Sequence, residues 1–230
     1  MNCAILGATE FEITLLRLTV CGERFAVQKI GIGPRNAQSS IEKLIESNRP
    51  DFVIVCGFCG GLQNNLKTGD SVISDSFVST TEKIESTIST EIKNVILEIA
   101  EKLKCTYHYG STITVEKALL TSKEKISAQK KYNALAVEME NFPIAKTCKE
   151  HGIPMISIRA VSDKVDEDLD SRFFNVIDTD GSLRKRKLLQ YLVRDPFFMW
   201  SLIKTGKASR KARKNYSRLV HKIITHFANQ

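Results

Sequence analysis

Short apolar runs alternate with segments whose apolar residues recur at helical spacing along the first 161 residues. This alternation limits the fold more than any other feature of the chain. Apolar runs separated by amphipathic helices predict a layered α/β domain. The run at residues 51–56 has the continuous apolar character of a buried strand. We expect strands at residues 4–6, 25–30, 51–56, 71–74, 134–139 and 154–161 and within 106–115, and helices at 10–18, 89–104 and 122–131 and ending near 47 and near 151.

Two glycine-rich segments follow predicted strands. Gly31, Ile32 and Gly33 come between a strand and a helix, so backbone N–H groups at the helix N-terminus would face an anion or a sugar oxygen. This segment lacks the third glycine of a dinucleotide loop and the Lys-Ser/Thr pair of a P-loop. Residues 57–61 predict a tight turn at a strand end. A purely structural turn is the alternative for both segments.

Three carboxylates come at or after the ends of strand-like runs. These are Glu12, Glu140 and Asp163. Strand ends of an α/β sheet collect along one rim, where ligands bind. Acids brought to that rim from three strands would serve as base, sugar ligand and acid around one bond. Solvated surface acids are the alternative interpretation.

The net charge of +8 is concentrated at the end of the chain. Residues 183–230 contain 13 Lys and Arg and one acid, whereas the rest contains 21 bases and 25 acids. We therefore divide the chain into a body at residues 1–182 and a basic, aromatic-containing helical extension at residues 183–230. The basic extension leaves a nucleic-acid-binding module open as a rival function, although we do not expect nucleic acid as a partner.

Several functional classes are disfavoured. No apolar run reaches the roughly 18 residues of a membrane span, and the start does not resemble a secretory signal. The six scattered cysteines favour reduced thiols and a cytoplasmic location. Cys56 and Cys59 have the spacing of a redox pair, but the glycines that follow favour a turn. The four histidines show no metal-ligand spacing with the cysteines, so we expect neither a metal nor a cofactor.

Five blocks resemble the methylthioadenosine/S-adenosylhomocysteine nucleosidases of the nucleoside phosphorylase/nucleosidase superfamily. They are residues 5–16, 31–33, 56–62, 137–141 and 159–163, in family order. The resemblance implies a three-layer α/β fold around a central mixed, partly barrelled sheet, with residues 1–182 as the catalytic domain. Dimers are usual among these nucleosidases, so a homodimer is implied as an option that the residues do not decide.

The resemblance also implies roles for individual residues. Asp163 would protonate N7 of a leaving purine, and Glu12 would deprotonate the attacking water with help from Arg159. Glu140 would hydrogen-bond the ribose hydroxyls, and Met139 would pack on the sugar. Nearby negative charge would stabilise a transition state of oxocarbenium character.

Further substrate contacts are implied for Ile32, Gly33, Phe58 and Ser162. Because Asp163 must be protonated when it acts, we expect the site to raise its pKa. An acidic run follows it and would push the pKa in that direction, unless the run is a solvated loop; its members are Asp166, Glu167, Asp168 and Asp170.

The sequence favours hydrolysis over phosphorolysis. A phosphorylase holds a dianionic phosphate with arginines and hydroxyls. The second glycine segment offers Phe58 and Cys59 instead, and a carboxylate such as Glu12 suits water better than phosphate. Arg35, near the first segment, keeps the phosphorylase alternative open.

The end of the chain resembles hopanoid-associated members of the superfamily. The resemblance lies in residues 180–182, 188–198 and 204–218 and implies adenosylhopane as the substrate. Residues 115–119 lack the aromatic residue on which methylthioadenosine enzymes stack the purine. The apolar and aromatic residues of 188–203, flanked by Lys and Arg, favour an interfacial helix at an anionic membrane surface. A helical hairpin packed on the body is the alternative.

Overall fold

The computed structural model describes residues 2–19, 24–176, 178, 184, 186, 190 and 196–228. Within that part of the chain, ten strands form one mixed sheet. The strands are β1 Cys3–Gly7, β2 Phe25–Lys29, β3 Phe52–Gly61, β4 Ser71–Ser74, β5 Ser76–Val78, β6 Lys83–Glu85, β7 Tyr107–Tyr109, β8 Thr112–Thr114, β9 Ala136–Glu138 and β10 Met155–Asp163. The helices are α1 Glu10–Thr19, α2 Pro34–Asn48, α3 Thr90–Lys102, α4 Ser122–Tyr132, α5 Asn141–Glu150, α6 Arg172–Asn175 and α7 Pro196–Ala228.

The long central strand β3 organises the sheet. The order is β6-β5-β8-β9-β3-β10-β4-β7, and β1 branches from the first half of β3 and carries β2 on its other side. β3 pairs in parallel with β1 and β10, and its end pairs antiparallel with β9. Because β3 changes neighbour along its length, the sheet curls. The predicted three-layer fold with a mixed, partly barrelled sheet is confirmed.

Alternate residues of the central strands supply two cores, one on each face of the sheet. On one face, Ile54 and Ile156 pack with α1, α3 and α7. On the other face, Val53 and Val55 pack with α2 and α5. Burial on both faces explains why β3 reads as a continuous apolar run rather than an alternating one.

The glycine segment at residues 57–61 is a strand, so the predicted tight turn is wrong. Gly60 and Gly61 lie opposite Val137 and Ala136 of β9. A Cβ atom at Gly60 would lie 3.1 Å from the Val137 side chain and 3.2 Å from Asp163 Oδ2. Glycine therefore serves here to let β9 and the Asp163 carboxyl group approach the backbone closely.

The last helix is part of the core. Six α7 side chains are buried in the same cluster as β1, β3 and β10, namely Ala212, Tyr216, Leu219, Val220, Ile223 and Ile224. The predicted division between residues 182 and 183 falls outside the described residues and stays a prediction. No helix within the described ranges is both long and apolar enough to cross a membrane.

We expect Leu219→Ala to lower the free energy of unfolding by about 2–5 kcal/mol, because it removes a fully buried side chain and leaves a cavity. Lys222→Ala, on the exposed face of the same helix, should change it by less than about 0.5 kcal/mol. Urea unfolding of the two variants measures the difference. Equal effects would show that α7 does not contribute to the core.

Candidate active site

Glu12 is fixed at the start of α1 by a reciprocal cap. Its Oε2 accepts hydrogen bonds from the Thr9 backbone N–H at 2.7 Å and from the Thr9 hydroxyl at 3.1 Å. The Glu12 N–H in turn donates to Thr9 Oγ1 at 3.3 Å, which completes a capping box. Oε1 accepts from the Phe58 N–H at 3.0 Å, and a Cβ at Gly57 would collide with this oxygen. The local sequence thus holds a buried carboxylate against β3.

Arg159 joins the carboxylates from the middle of β10. The side chain is 2 % exposed. Its Nη2 forms ion pairs with Glu138 and Glu140, each at 3.0 Å. Nη1 donates to the Phe58 carbonyl at 2.9 Å, and Nε donates to Asn141 Oδ1 at 3.2 Å. Every nitrogen of the guanidinium group therefore has an acceptor, as a buried arginine requires.

Glu138 and Glu140 differ in what surrounds them. Glu138 is enclosed: one oxygen accepts from the Thr114 hydroxyl, and the other accepts from the N–H groups of Glu140 and Asn141, both at 2.7 Å. Glu140 Oε1 accepts from the Gly33 N–H at 3.0 Å. Glu138 thus supports the turn into α5, whereas Glu140 spans from Arg159 to the loop before α2.

The predicted glycine segment before α2 lies at this site. Gly33 caps α2 with φ +92°, a conformation that favours glycine. Its N–H donates to a carboxylate oxygen of Glu140, and the expected contact of this segment with a bound anion or sugar oxygen stays a prediction. Ile32 is half-buried beside it.

Asp163 lies at the end of β10, beyond an irregularity in the strand. The register with β3 shifts between Val161 and Asp163, so that Asp163 lies opposite Gly60. Such a bulge re-aims a side chain. Ser162 Oγ, at the bulge, lies 2.5 Å from Asp163 Oδ1 and 3.2 Å from the Cys59 carbonyl oxygen.

A buried lysine from α4 contacts the same carboxyl group. Lys125 is 0 % exposed, and its Nζ donates to Asp163 Oδ2. The two remaining N–H groups donate to the carbonyl oxygens of Lys164 at 3.0 Å and Glu167 at 2.7 Å. Lys125 therefore ties α4 to the loop that follows β10.

Burial sets the direction of the acid pKa shifts. It raises the pKa of Glu12; the Arg159 charge opposes the rise, and the Glu140 charge adds to it. Burial also raises the pKa of Glu138, again against Arg159. For Arg159 itself burial favours a lower pKa, but the charges of Glu138, Glu140 and Glu12 outweigh it and raise the pKa.

The expected rise in the pKa of Asp163 is present, but burial is its main cause, while Lys125 opposes it. Of the acidic run, Glu167 adds a minor contribution. The other three acids lie in different contacts: Asp166 pairs with Lys164, Asp168 accepts from the Ser122 N–H, and Asp170 pairs with Arg172. The alternative of a solvated loop therefore describes most of this run, and only Glu167 acts on the pKa of Asp163.

The predicted residues fall into two contact groups. Glu12, Phe58, Arg159, Glu140 and Gly33 are joined by hydrogen bonds. Asp163 and Ser162 form the second group, which borders Gly60 of β3. Met139 is half-buried between Glu138 and Glu140 along the chain. The catalytic roles of Glu12, Asp163 and Arg159 and the substrate-binding roles of the others remain predictions.

Phe58 packs between two other aromatic residues. It lies within β3, and its ring packs against Phe11 and Tyr216 with centroid distances of 5.9 and 5.8 Å. The Tyr216 hydroxyl also donates to the Glu12 carbonyl at 2.7 Å. Helix α7 therefore contacts both Phe58 and Glu12 through Tyr216.

The sequence prediction missed Glu138, Lys125, Thr114 and Tyr216. Glu138 was detectable as an acid within the apolar run predicted as a strand at residues 134–139. Thr9 was detectable as the first residue of a Thr-x-x-Glu capping box. Nothing in the polar sequence of α4 distinguishes Lys125 from its exposed neighbours. Among the described residues, no group of His, Cys, Asp and Glu is arranged to hold a metal ion.

Comparisons with known proteins show the family to which the chain belongs. The model of the Phosphorylase superfamily matches residues 7–194, and the chain belongs to that family. It is 27 % identical over 229 residues to a 5′-methylthioadenosine/S-adenosylhomocysteine nucleosidase of Exiguobacterium sp., covering 84 % of this chain and 98 % of the relative. The prediction that the chain is an enzyme is confirmed.

Solved structures share the fold. A Helicobacter pylori nucleosidase mutant with 5′-methylthioadenosine in its active site superimposes with a TM-score of 0.75 at 17 % identity, covering 98 % of each chain. Futalosine hydrolase of the same organism gives a TM-score of 0.73 at 17 % identity, covering 98 % of this chain and 97 % of that one.

We expect Arg159→Met to lower the free energy of unfolding by about 3–5 kcal/mol, because it leaves Glu138 and Glu140 buried without their cation. Arg35→Met, at an exposed position, is the matched control and should change it by less than about 0.5 kcal/mol. Urea unfolding at neutral pH measures both. A loss below about 1 kcal/mol for Arg159→Met would contradict the role of Arg159 as the cation of this cluster.

Proposed function

We propose that the protein is a purine nucleosidase that hydrolyses the N-glycosidic bond of a 5′-substituted adenosine and releases adenine. One observation carries the proposal: two buried carboxyl groups border β3 in different surroundings. Glu12 is held by backbone N–H donors near Arg159, and Asp163 is held by Ser162 and Lys125. Unequal surroundings of this kind divide the acid role from the base role.

In the proposed reaction the bond from C1′ of the ribose to N9 of the purine breaks. Asp163 gives its proton to N7, so adenine leaves as a neutral base. Glu12 accepts a proton from the attacking water, whose oxygen bonds to C1′. The negative charges of Glu12 and Glu140 stabilise the oxocarbenium character that develops on the sugar. Glu140, which already accepts from the Gly33 N–H, binds the ribose hydroxyls.

Hydrolysis is favoured over phosphorolysis by the surroundings of β3. Glu12 lies against the backbone of Gly57 and Phe58, and a phosphate dianion placed there would meet a buried carboxylate. Phe58 and Cys59 provide no hydroxyl or guanidinium group for phosphate. A phosphate-dependent purine nucleoside phosphorylase remains the alternative.

We expect the purified protein to release adenine from a 5′-substituted adenosine without added phosphate. Asp163→Asn and Glu12→Gln should each lower kcat/KM by about 10²- to 10⁴-fold, because each removes one proton transfer. Glu10→Gln, an exposed carboxylate in the same helical turn as Glu12, is the control and should leave the rate near that of the parent. Adenine release is followed by chromatography of the reaction.

Two outcomes would contradict this assignment. Turnover that requires phosphate, with ribose-1-phosphate as product, would show a phosphorylase. Near-parent turnover by Asp163→Asn or Glu12→Gln would show that the altered residue does not have the proposed role.

We propose adenosylhopane as the substrate, with methylthioadenosine and S-adenosylhomocysteine as the alternatives suggested by the named relatives. The resemblance of the chain end to hopanoid-associated proteins supports this choice, and so does the absence of an aromatic residue from positions 115–119. A comparison of kcat/KM for these three nucleosides and futalosine distinguishes the candidates. A homodimer stays a prediction.

A lipid-tailed substrate gives a reason for the enzyme to bind the cytoplasmic face of a membrane, and α7 carries a surface suited to that. Six exposed bases recur at helical spacing along one side of α7, namely Lys207, Arg210, Lys211, Lys214, Arg218 and Lys222. No acidic residue occurs between residues 196 and 228. Of the apolar segment predicted to enter the interface, residues 188, 189, 192 and 193 lie outside the described residues, and residues 197–203 lie in the first two turns of α7.

Charge reversal in the full chain tests the membrane proposal, because removing α7 would open the core. Each base near an anionic leaflet contributes about 1 kcal/mol, so Lys207→Glu, Arg210→Glu and Lys214→Glu together should weaken vesicle binding by about 100-fold. The control reverses Lys43, Lys123 and Lys130, which are exposed on α2 and α4. Sedimentation with anionic vesicles at low salt measures binding.

Equal pelleting of the two triple variants, or no pelleting of the parent, would contradict the membrane proposal. Salt-sensitive binding of RNA by the parent, lost in the α7 variant, would favour the nucleic-acid alternative instead.

A further inference from the structure

A fully buried lysine contacts Asp163, the proposed acid, and no step of the proposed hydrolysis uses this lysine. Lys125 lies on α4 with 0 % exposure, although lysine is among the residues least often buried. All three of its N–H groups have acceptors: Asp163 Oδ2 and the carbonyl oxygens of Lys164 and Glu167. A neutral amide side chain offers two N–H donors for these three acceptors, so lysine adds a third donor and a positive charge.

We propose that Lys125 is a positioning residue for Asp163: it fixes the carboxyl group through Oδ2 and sets the pH range in which Asp163 holds its proton. The inference rests on the proposed role of Asp163 as the acid. The geometry leaves Oδ1 beside the Ser162 hydroxyl at 2.5 Å, so both oxygens of Asp163 have a fixed neighbour. A carboxyl group held at both oxygens has a fixed orientation.

The positive charge of Lys125 determines the direction in which it shifts the pKa of Asp163. A carboxyl group buried in apolar surroundings holds its proton too tightly to be a good donor at neutral pH, and efficient acids have a pKa near the working pH. A cation in contact stabilises the carboxylate and lowers the pKa. Lys125 therefore opposes the rise that burial causes, which keeps Asp163 able to release its proton.

Other charged and titratable groups near the pair do not replace this cation. In the loop after β10, the side chain of the one base, Lys164, pairs with Asp166. The remaining charged groups there, which include Glu167 and Asp168, are acids, and Glu167 raises the pKa of Asp163. Glu124 on α4 is tied to Thr121 and faces Asp168. On β3, burial raises the pKa of the Cys59 thiol, so that side chain stays neutral.

The pH dependence of kcat/KM for adenine release tests the proposal with Lys125→Met. Because Asp163 acts when protonated, activity falls as the pH rises through its pKa. Without the cation that pKa is higher, so we expect the basic limb of the profile to move up by about 1–3 pH units. Lys123→Met removes an exposed lysine from the same helix and should leave the limb in place.

Two further readouts separate positioning from general support of the fold. A p-nitrophenyl riboside releases p-nitrophenolate, a leaving group that needs no proton. The basic limb of the kcat/KM profile for this substrate should therefore not move in Lys125→Met. Lys125→Gln, which keeps a hydrogen-bond donor but loses the charge, should shift the limb for the purine substrate in the same direction. A uniform loss of rate with an unmoved limb in both neutral variants would overturn the proposal.

A measurement without turnover keeps the inference separate from the proposed function. The Asp163 carboxyl carbon is the ¹³C resonance that disappears in Asp163→Asn. It should titrate at higher pH in Lys125→Met and Lys125→Gln than in the parent. If the parent does not release adenine, the proposed function fails, and this titration still decides the inference. An unchanged titration would overturn the inference even in an active enzyme.

Discussion

The buried guanidinium group of Arg159 is the interaction on which the candidate site depends. Three glutamates with little exposure, Glu12, Glu138 and Glu140, surround a strand position from which water is almost excluded. Burying several carboxylates together is costly unless a cation with matched hydrogen bonds accompanies them. Arg159 provides that cation from the central strand β10, and its contact with the Phe58 carbonyl ties the cluster to β3. The fold can therefore bring acids from α1, β9 and the start of α5 together around one cation.

Two cations divide the acids into two environments, and the chemistry follows from that division. Arg159 stands among the glutamates that would accept a proton from water and bind the sugar, whereas Lys125 contacts Asp163 alone among the carboxylates of the proposed site. Helix α7 contributes to the first environment, because Tyr216 bonds the Glu12 carbonyl and packs on the ring of Phe58. The charge of residues 183–230 predicted a separate extension. The last part of that segment, in α7, instead packs into the core and contacts residues of the candidate site.

Most of the fold could be predicted because its strands and helices have strong local signals. β4 at Ser71–Ser74 and α4 at Ser122–Tyr132 lie at or within one residue of the expected positions. The turn predicted at residues 57–61 is wrong. Glycines there are typical of a turn, but in the structure they belong to β3 and allow β9 and Asp163 to pack closely against it. Glu12, Glu140 and Asp163 could be found because they follow strands. Lys125 could not, since its acceptors Lys164 and Glu167 lie 39 and 42 residues further along the chain, in a loop that packs on α4.

A crystal structure of Asp163→Asn with a bound 5′-substituted adenosine tests the central claim most directly, because the substitution slows turnover while keeping the shape of the site. The account predicts N7 of the purine within hydrogen-bonding distance of the side chain at position 163. It also predicts the ribose hydroxyls on Glu140 and an ordered water on Glu12 facing C1′. A purine whose N7 points away from position 163, or a ribose bound without Glu140, would contradict the account.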